Sequence, residues 1–148
     1  YKRYEFSGTP ANIEDDSVSA NSLIEREVEI PYHIYLSKSM SFFAKSNFKQ
    51  ALNRYLLMLE QYPDENNALF YGGLAYYNLG KYEKSLDFFN QILNSNIVVF
   101  REEALWYKAK SLLQQQKEDA AIEILEAVIA GGGFYTKDAI ELRGQLLD

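Results

Sequence analysis

The feature that most constrains this chain is a repeat. Phe48-Lys49-Gln50-Ala51-Leu52-Asn53-Arg54-Tyr55 and Tyr82-Glu83-Lys84-Ser85-Leu86-Asp87-Phe88-Phe89 share one pattern. Each has an aromatic residue, a small residue three later, Leu next, and an aromatic four after the small one. Ala51 and Ser85 are 34 residues apart, and Ala121, in Ala120-Ala121-Ile122-Glu123-Ile124-Leu125, lies a further 36 along. A fixed period in this range marks one supersecondary unit stacked on copies of itself, each burying its apolar face only against its neighbours. Such a chain is expected to be a scaffold that binds something.

The 148 residues suit one domain, and 47% apolar content with 12 Tyr and 9 Phe is enough for a continuous core. No run of about 18 or more apolar residues occurs, so no segment of this sequence is expected to span a membrane. The pattern of a signal peptide is absent too. The sequence starts at Tyr1, not Met, so the expectation is a processed or trimmed form from which any targeting segment has been removed. Zero cysteines exclude disulfides and thiolate metal sites. Of the net charge of −6, residues 1–30 carry −4 and the remaining 118 carry −2. The repeat region therefore has no basic stripe of the kind nucleic-acid binding requires.

Residues 1–30 differ from the rest. Ser7-Gly8-Thr9-Pro10-Ala11-Asn12 is turn chemistry, and Glu14-Asp15-Asp16-Ser17 is a solvated acidic patch. With residues 23–30 as a short helix or an extended strip, the region reads as an acidic N-terminal arm. Its order depends on whether Phe6, Leu23, Ile24, Val28 and Ile30 find a groove.

Residues 31–148 read as helical. Pro31 fits a first helical position, so helix one is expected over residues 31–44 with Tyr35, Ser39 and Phe42 on one face. Lys45-Ser46-Asn47 is its turn. Helix two, residues 48–61, stops before Pro63, because the residue ahead of proline disfavours the α region. Asp64 is expected to cap helix three, residues 65–78, which ends at Gly80 in a left-handed stop. Helix four covers 82–93, helix five 100–114 and helix six 118–130. Gly131-Gly132-Gly133 reads as plain connection. A last amphipathic helix, 136–147, turns Ala139, Leu142 and Leu146 to one side, where they would cover helix six as a terminal cap.

These residues resemble the tetratricopeptide repeat, whose pattern sets a small residue and an aromatic in the first helix, Ala and an aromatic in the second, then Pro. Repeat one, about 32–63, fills those places with Ser39, Phe42, Phe48, Ala51, Tyr55 and Pro63. Repeat two, about 66–97, uses Gly73, Tyr76, Gly80, Tyr82, Ser85 and Phe89. Repeat three, about 102–130, uses Ala109, Leu112, Ala121 and Leu125. Small residues let paired helices approach, and large ones fill the gap between them. Two departures stand out: repeat two ends at Ile97 where the pattern has Pro, and repeat three has Gln116 in place of the turn glycine. The resemblance covers roughly residues 32–130. It implies an all-α fold of three helix-turn-helix repeats plus a C-terminal capping helix in a right-handed α-superhelix. The stretch from Ala104 to Ile129, with Phe134-Tyr135 and Ala139-Ile140-Glu141-Leu142, is also similar to the repeat domains of membrane-anchored bacterial envelope proteins frequent in Bacteroidetes. That likeness implies the periplasmic side of a bacterial cell envelope, with Tyr1-Lys2-Arg3 just past a removed anchor. The cytoplasm is the alternative.

In this architecture the first helices line a concave surface. The pattern places His33, Leu36, Met40 and Phe43 there from helix one, and Asn67, Phe70, Leu74 and Tyr77 from helix three. Glu103, Trp106, Lys110, Leu113 and Gln114 come from helix five. The groove is apolar and aromatic, with Asn67, Asn78, Lys110 and Gln114 as polar edges, and suits an amphipathic helix or a partly apolar peptide. The competing expectation is that several of these side chains pack between repeats. Some domains of this type clamp a chaperone's C-terminal carboxylate with cations and an amide. Here the matching places hold Leu36, Met40, Tyr71, Glu103 and Tyr107, which cannot do so.

No catalytic, cofactor or metal site is expected. The single histidine, His33, has no cysteine or second histidine with which to build a zinc site. Glu118, Asp119, Glu123 and Glu126 recur on one helix, but as a solvated face with acids favouring the first turn. Gly72-Gly73 sits inside a helix, and no phosphate loop is present. The expected function is therefore a protein–protein interaction scaffold that takes a peptide or helix of a partner. Its alternative is a self-association module whose groove is filled by residues 1–30 or by a second copy of the chain.

Overall fold

The computed structural model of the chain describes residues 32–96 and 98–148. The expected arm, Pro31 and Ile97 lie outside the described residues. Among the described residues seven helices follow one another: α1 (Tyr32–Ala44), α2 (Phe48–Gln61), α3 (Asn66–Asn78), α4 (Tyr82–Leu93), α5 (Arg101–Gln114), α6 (Glu118–Gly131) and α7 (Thr136–Leu147). No strand occurs among the described residues. Contacts run overwhelmingly between sequence neighbours, α1 on α2 through α6 on α7. The molecule is an all-α solenoid.

Helices α2, α4 and α7 have the bounds that their sequence signals give. In α2, Ala51, Leu52, Tyr55, Leu57 and Met58 are buried, a stripe recurring at helical spacing. Tyr62, just ahead of Pro63, leaves the helical region at φ −133°, as the proline ring requires.

The turns inside the three units are the same object. Ser46, Gly80 and Gln116 have φ of 61°, 75° and 61°. The next amide reaches back across six residues each time: Asn47 N–H to Phe42 O (2.8 Å), Lys81 N–H to Tyr76 O (2.9 Å) and Lys117 N–H to Leu112 O (2.9 Å). An inner bond accompanies each, from Ser46 to Phe43 (2.9 Å), Gly80 to Tyr77 (3.0 Å) and Gln116 to Leu113 (2.9 Å). This is the Schellman stop, which satisfies the last carbonyls of the first helix. Gln116 thus holds the left-handed conformation that a glycine holds in repeat two.

Within each unit a small residue sits at the helix crossing: Ser39, Gly73 and Ala109, all buried. A Cβ on Gly73 would lie 2.7 Å from Cε1 of Phe89, and one on Gly72 would lie 2.9 Å from Cε2 of Phe88. The two phenyl rings occupy the space that the glycines vacate. Between units, Ser85 and Ser111 meet in the core with their hydroxyl oxygens 3.0 Å apart.

The junctions between units depart from expectation. Glu65, not Asp64, caps α3: its carboxylate accepts the Ala68 N–H at 3.1 Å, so the helix begins at Asn66. The residue expected to open α5, Phe100, instead precedes it in the left-handed region at φ 66°. Its ring stacks on Phe70, centroids 4.4 Å apart and planes within 8°. Helix α6 runs one residue further than expected, to Gly131. The glycines after it are more than connection. A Cβ on Gly133 would overlap the Glu102 carboxylate, whose Oε1 also accepts the Tyr135 N–H at 2.8 Å. Glu102, at the start of α5, thereby ties down the link into α7.

Candidate functional site

The first helices α1, α3 and α5 carry the residues expected to meet a partner, and the structure divides them into three groups. The first belongs to the core. Phe70 is only 5% exposed and lies among Phe100, Tyr71, Phe89 and Tyr107. Leu74 is likewise buried. The expectation that Phe70 anchors a partner is corrected: its ring is enclosed by the turn ahead of α5, which the repeat pattern does not specify.

The second group lines the α1 end and is half-buried. Leu36, Met40 and Phe43 pack against the cluster of Tyr35, Ala51, Tyr55 and Met58. The Tyr55 hydroxyl donates to the Met40 sulfur at 3.0 Å. Burial raises the Tyr55 hydroxyl's pKa strongly and Tyr35's to about 12, because a phenolate loses its hydration there. Phe43 bridges units edge-on, 5.2 Å from Phe48 and 5.6 Å from Tyr71. Two expected edge residues also hydrogen-bond within the fold. Asn67 donates to the Tyr32 hydroxyl (2.6 Å) and to Glu65 Oε1 (3.2 Å), while Tyr32 donates to the same carboxylate. Asn78 donates back to Leu74 O at 2.8 Å.

The third group converges. Lys110 Nζ lies 5.7 Å from the Trp106 ring centre, 5.9 Å from Tyr107 and 6.0 Å from Tyr77. Two neighbouring first helices thus supply three rings within cation–π range of one ammonium. Gln114 hydrogen-bonds the Tyr77 side chain. Tyr82 meets Tyr77 edge-on at 5.4 Å, and Tyr135 stacks on Trp106 at 5.3 Å with planes within 12°. Burial raises the Tyr77 hydroxyl's pKa, with Gln114 opposing and Tyr82 and Tyr107 adding. Tyr135 is pushed up to about 12, by burial first, then Tyr107 and Glu103. At neutral pH the Tyr77 and Tyr135 phenols are uncharged.

The expected set lacked Tyr135 and gave Tyr107 no part in the groove. A signal for Tyr135 existed: it stands just ahead of α7 as Phe100 stands just ahead of α5, and the two stack on Trp106 and Phe70 respectively. Trp106 and Phe70 are themselves one repeat apart.

Two surface depressions among the described residues lie away from this meeting point. One of about 480 Å3 sits at the first turn between Ser46, Phe48, Asn53 and Leu79. Another, of about 380 Å3, lies between second helices α2 and α4 at Leu56, Pro63, Tyr76 and Phe88. Neither is lined by an expected partner-binding residue. Glu118, Asp119, Glu123 and Glu126 are exposed, as expected of a solvated face. Among the described residues no group of three or more His, Asp or Glu could hold a metal ion, and no helix is long and apolar enough to cross a membrane.

Comparison with known families agrees with the repeat geometry. A family model described as tetratricopeptide repeat matches residues 36–96, the first two units. A second model of the same description matches residues 103–130, the third. No curated protein matches the chain. With three units closed by the same left-handed turn and each helix pair crossing at a small residue, the chain belongs to the tetratricopeptide repeat family.

Proposed function

We infer that this domain is a non-catalytic scaffold that holds a segment of a partner protein against the first-helix face. Repeats of this family generally mediate protein–protein interaction. The observation that carries the reading to a place is the meeting of Tyr77, Trp106, Tyr107 and Lys110 from α3 and α5. Half-buried aromatic rings offer contact area with little rotamer entropy to lose, and Tyr and Trp are among the residues that dominate binding energies. The segment that fits is an apolar side chain flanked by a carboxylate. The apolar group lies on Trp106 and Tyr77, the carboxylate pairs with Lys110, and Gln114 supplies an edge hydrogen bond. Leu36, Met40 and Phe43 extend the same face toward the first unit.

Residues 1–30, with their seven acidic and three basic side chains and scattered apolar residues, have the same chemistry. They are the second reading: an arm of this chain, or of a second copy, in the same place. The test uses the single tryptophan, Trp106, as its own reporter. Peptides selected on the domain should be enriched in apolar residues next to Asp or Glu, and should shift Trp106 emission on titration. Lys110→Glu should weaken the selected peptides at least about tenfold, the scale of one desolvated charge contact. Peptides of no common chemistry, bound equally by Lys110→Glu, would exclude this site as the place of recognition. A peptide of residues 1–30 that competes with them favours the second reading.

A further inference from the structure

Helix α5 carries two opposite charges on the side where the aromatic rings meet. Glu103 stands three residues before Trp106, and Lys110 four after it. That spacing stacks side chains one above another along a single side of a helix. All three are half-buried. Among the described residues no cation and no hydrogen-bond donor meets the Glu103 carboxylate, and no carboxylate meets Lys110, which has only rings around it. The two charges are too far apart to neutralise each other. At a rise of about 1.5 Å per residue they are separated by about 10 Å along the helix axis.

The neighbouring acid is committed elsewhere. Glu102 accepts the Tyr135 N–H at 2.8 Å and so fixes the entry into α7. Tyr135 in turn lays its ring on Trp106, with 5.3 Å between centres. Glu103 lies close enough to Tyr135 to help raise its hydroxyl's pKa, after burial and Tyr107. Glu103 therefore borders the same aromatic surface as Lys110, at the other end. A half-buried charge has already lost part of its hydration, so one unmatched within its own chain gains from an opposite charge brought by a partner.

We propose that Glu103 sets the specificity of this site: the segment it takes carries a Lys or Arg and an Asp or Glu on either side of one apolar side chain. The cation pairs with Glu103, the apolar group rests on Trp106 and Tyr135, and the carboxylate pairs with Lys110. The inference rests on the reading of the Trp106 face as the place of recognition, and adds the charge required at its second end. A segment with acids at both ends is repelled by Glu103, and one with no cation leaves that carboxylate covered and unmatched. Discrimination comes from those costs as well as from the pairing.

The test uses short synthetic peptides, blocked at both ends, each with one Leu between a Lys and an Asp at spacings of up to two helical turns. Matched sets carry Gln in place of the Lys, or Asn in place of the Asp. Titration of the full chain is followed by the emission of its single tryptophan, Trp106, at low salt, where charge pairs are least screened. On the native chain the Gln set should bind about threefold or more weakly than its parent, the scale of a partly exposed pair. This comparison needs no protein variant. Glu103→Gln should erase that preference and keep the preference for Asp over Asn, and Lys110→Gln should do the reverse. Glu103→Lys should favour peptides with Glu in place of their Lys. Circular dichroism should show all three variants folded. A Gln set that binds the native chain as tightly as its parent, or a preference for Lys that survives Glu103→Gln, would overturn the role of Glu103. The Trp106 site would still stand, because the difference between Asp and Asn, and its loss in Lys110→Gln, would remain. Emission unmoved by every set would overturn both readings.

Discussion

Repeats two and three reach one geometry by different chemistry. In repeat two, Gly72 and Gly73 stand against Phe88 and Phe89, and Gly80 makes the turn at φ 75°. In repeat three, Ala109 stands at the crossing among Leu125 and Val128, and Gln116 makes the turn at φ 61°. Repeat two gives its volume to rings on the second helix and keeps glycine wherever the backbone is crowded or left-handed. Repeat three keeps side chains in both places and carries the strain. The comparison shows that shape at the crossing and turn is the conserved physical requirement inside this molecule, and that residue type is one way of meeting it.

The largest effect should come from filling the tighter crossing. Gly73→Leu sets a branched side chain where even a Cβ is 2.7 Å from Phe89, and should cost about 3 kcal/mol or more by overpacking. Ala109→Gly in repeat three should cost only about 1 kcal/mol, through helix propensity. Equal losses by urea denaturation would mean that the two crossings are not built differently.

Alkali should strain both ends of the described solenoid, through Tyr35 and Tyr55 at one and Tyr135 at the other. Tyr35 is held neutral with its pKa raised to about 12, while an unfolded tyrosine ionises near 10. Below pH 10 both states are protonated and the contribution is intact. Above it the unfolded chain sheds the proton first, so stability falls by about 1.4 kcal/mol per pH unit for this group, until the folded phenol also ionises near pH 12. Tyr55 acts with the same sign. Tyr35→Phe should flatten the fall between pH 10 and 11.5, measured by denaturant midpoints. A slope unchanged by that substitution would place the alkaline sensitivity elsewhere.

Smaller is the link that repeat three makes to α7. Gly133→Ala should cost about 1–2 kcal/mol by displacing the Glu102 carboxylate, and clearly less in a chain already carrying Glu102→Ala, since residues in contact couple. Additive losses would mean that Glu102 does not occupy that place in solution. Smallest is the turn. Gln116→Gly should gain about 1 kcal/mol and Gly80→Gln lose about as much, the cost of a side chain in the left-handed region. Melting temperatures moving in the same direction would contradict a shared turn.

Local rules made α2, α4 and α7 legible to the residue, because Pro63, the turn residues and the glycines act within a few positions of themselves. Long-range contacts were not legible. The burial of Phe70 depends on Phe100, a residue of the longest linker, where the period slips from 34 to 36. The role of Gly133 depends on Glu102, distant by thirty-one positions in sequence. Asp64 satisfies the statistical preference for a cap, but Glu65 holds the geometry, steadied by Asn67 within the same turn and by Tyr32 from α1. The candidate site was half legible. Tyr77, Trp106, Lys110 and Gln114 follow from the spacing of first helices, whereas Tyr135 enters only once α7 is known to begin beside Trp106.

Because contacts run from each helix to the next in sequence, little of this structure waits on the closure of long loops, and its contact order is low. Chains of that kind fold fast and melt from their ends. Among the described residues α7 packs chiefly on α6, so it can detach at a fraction of the free energy that opens α3, and its amides should exchange with solvent long before those of Gly73 and Ala75. Among the described helices stability is thus a gradient from α3 and α4 outward.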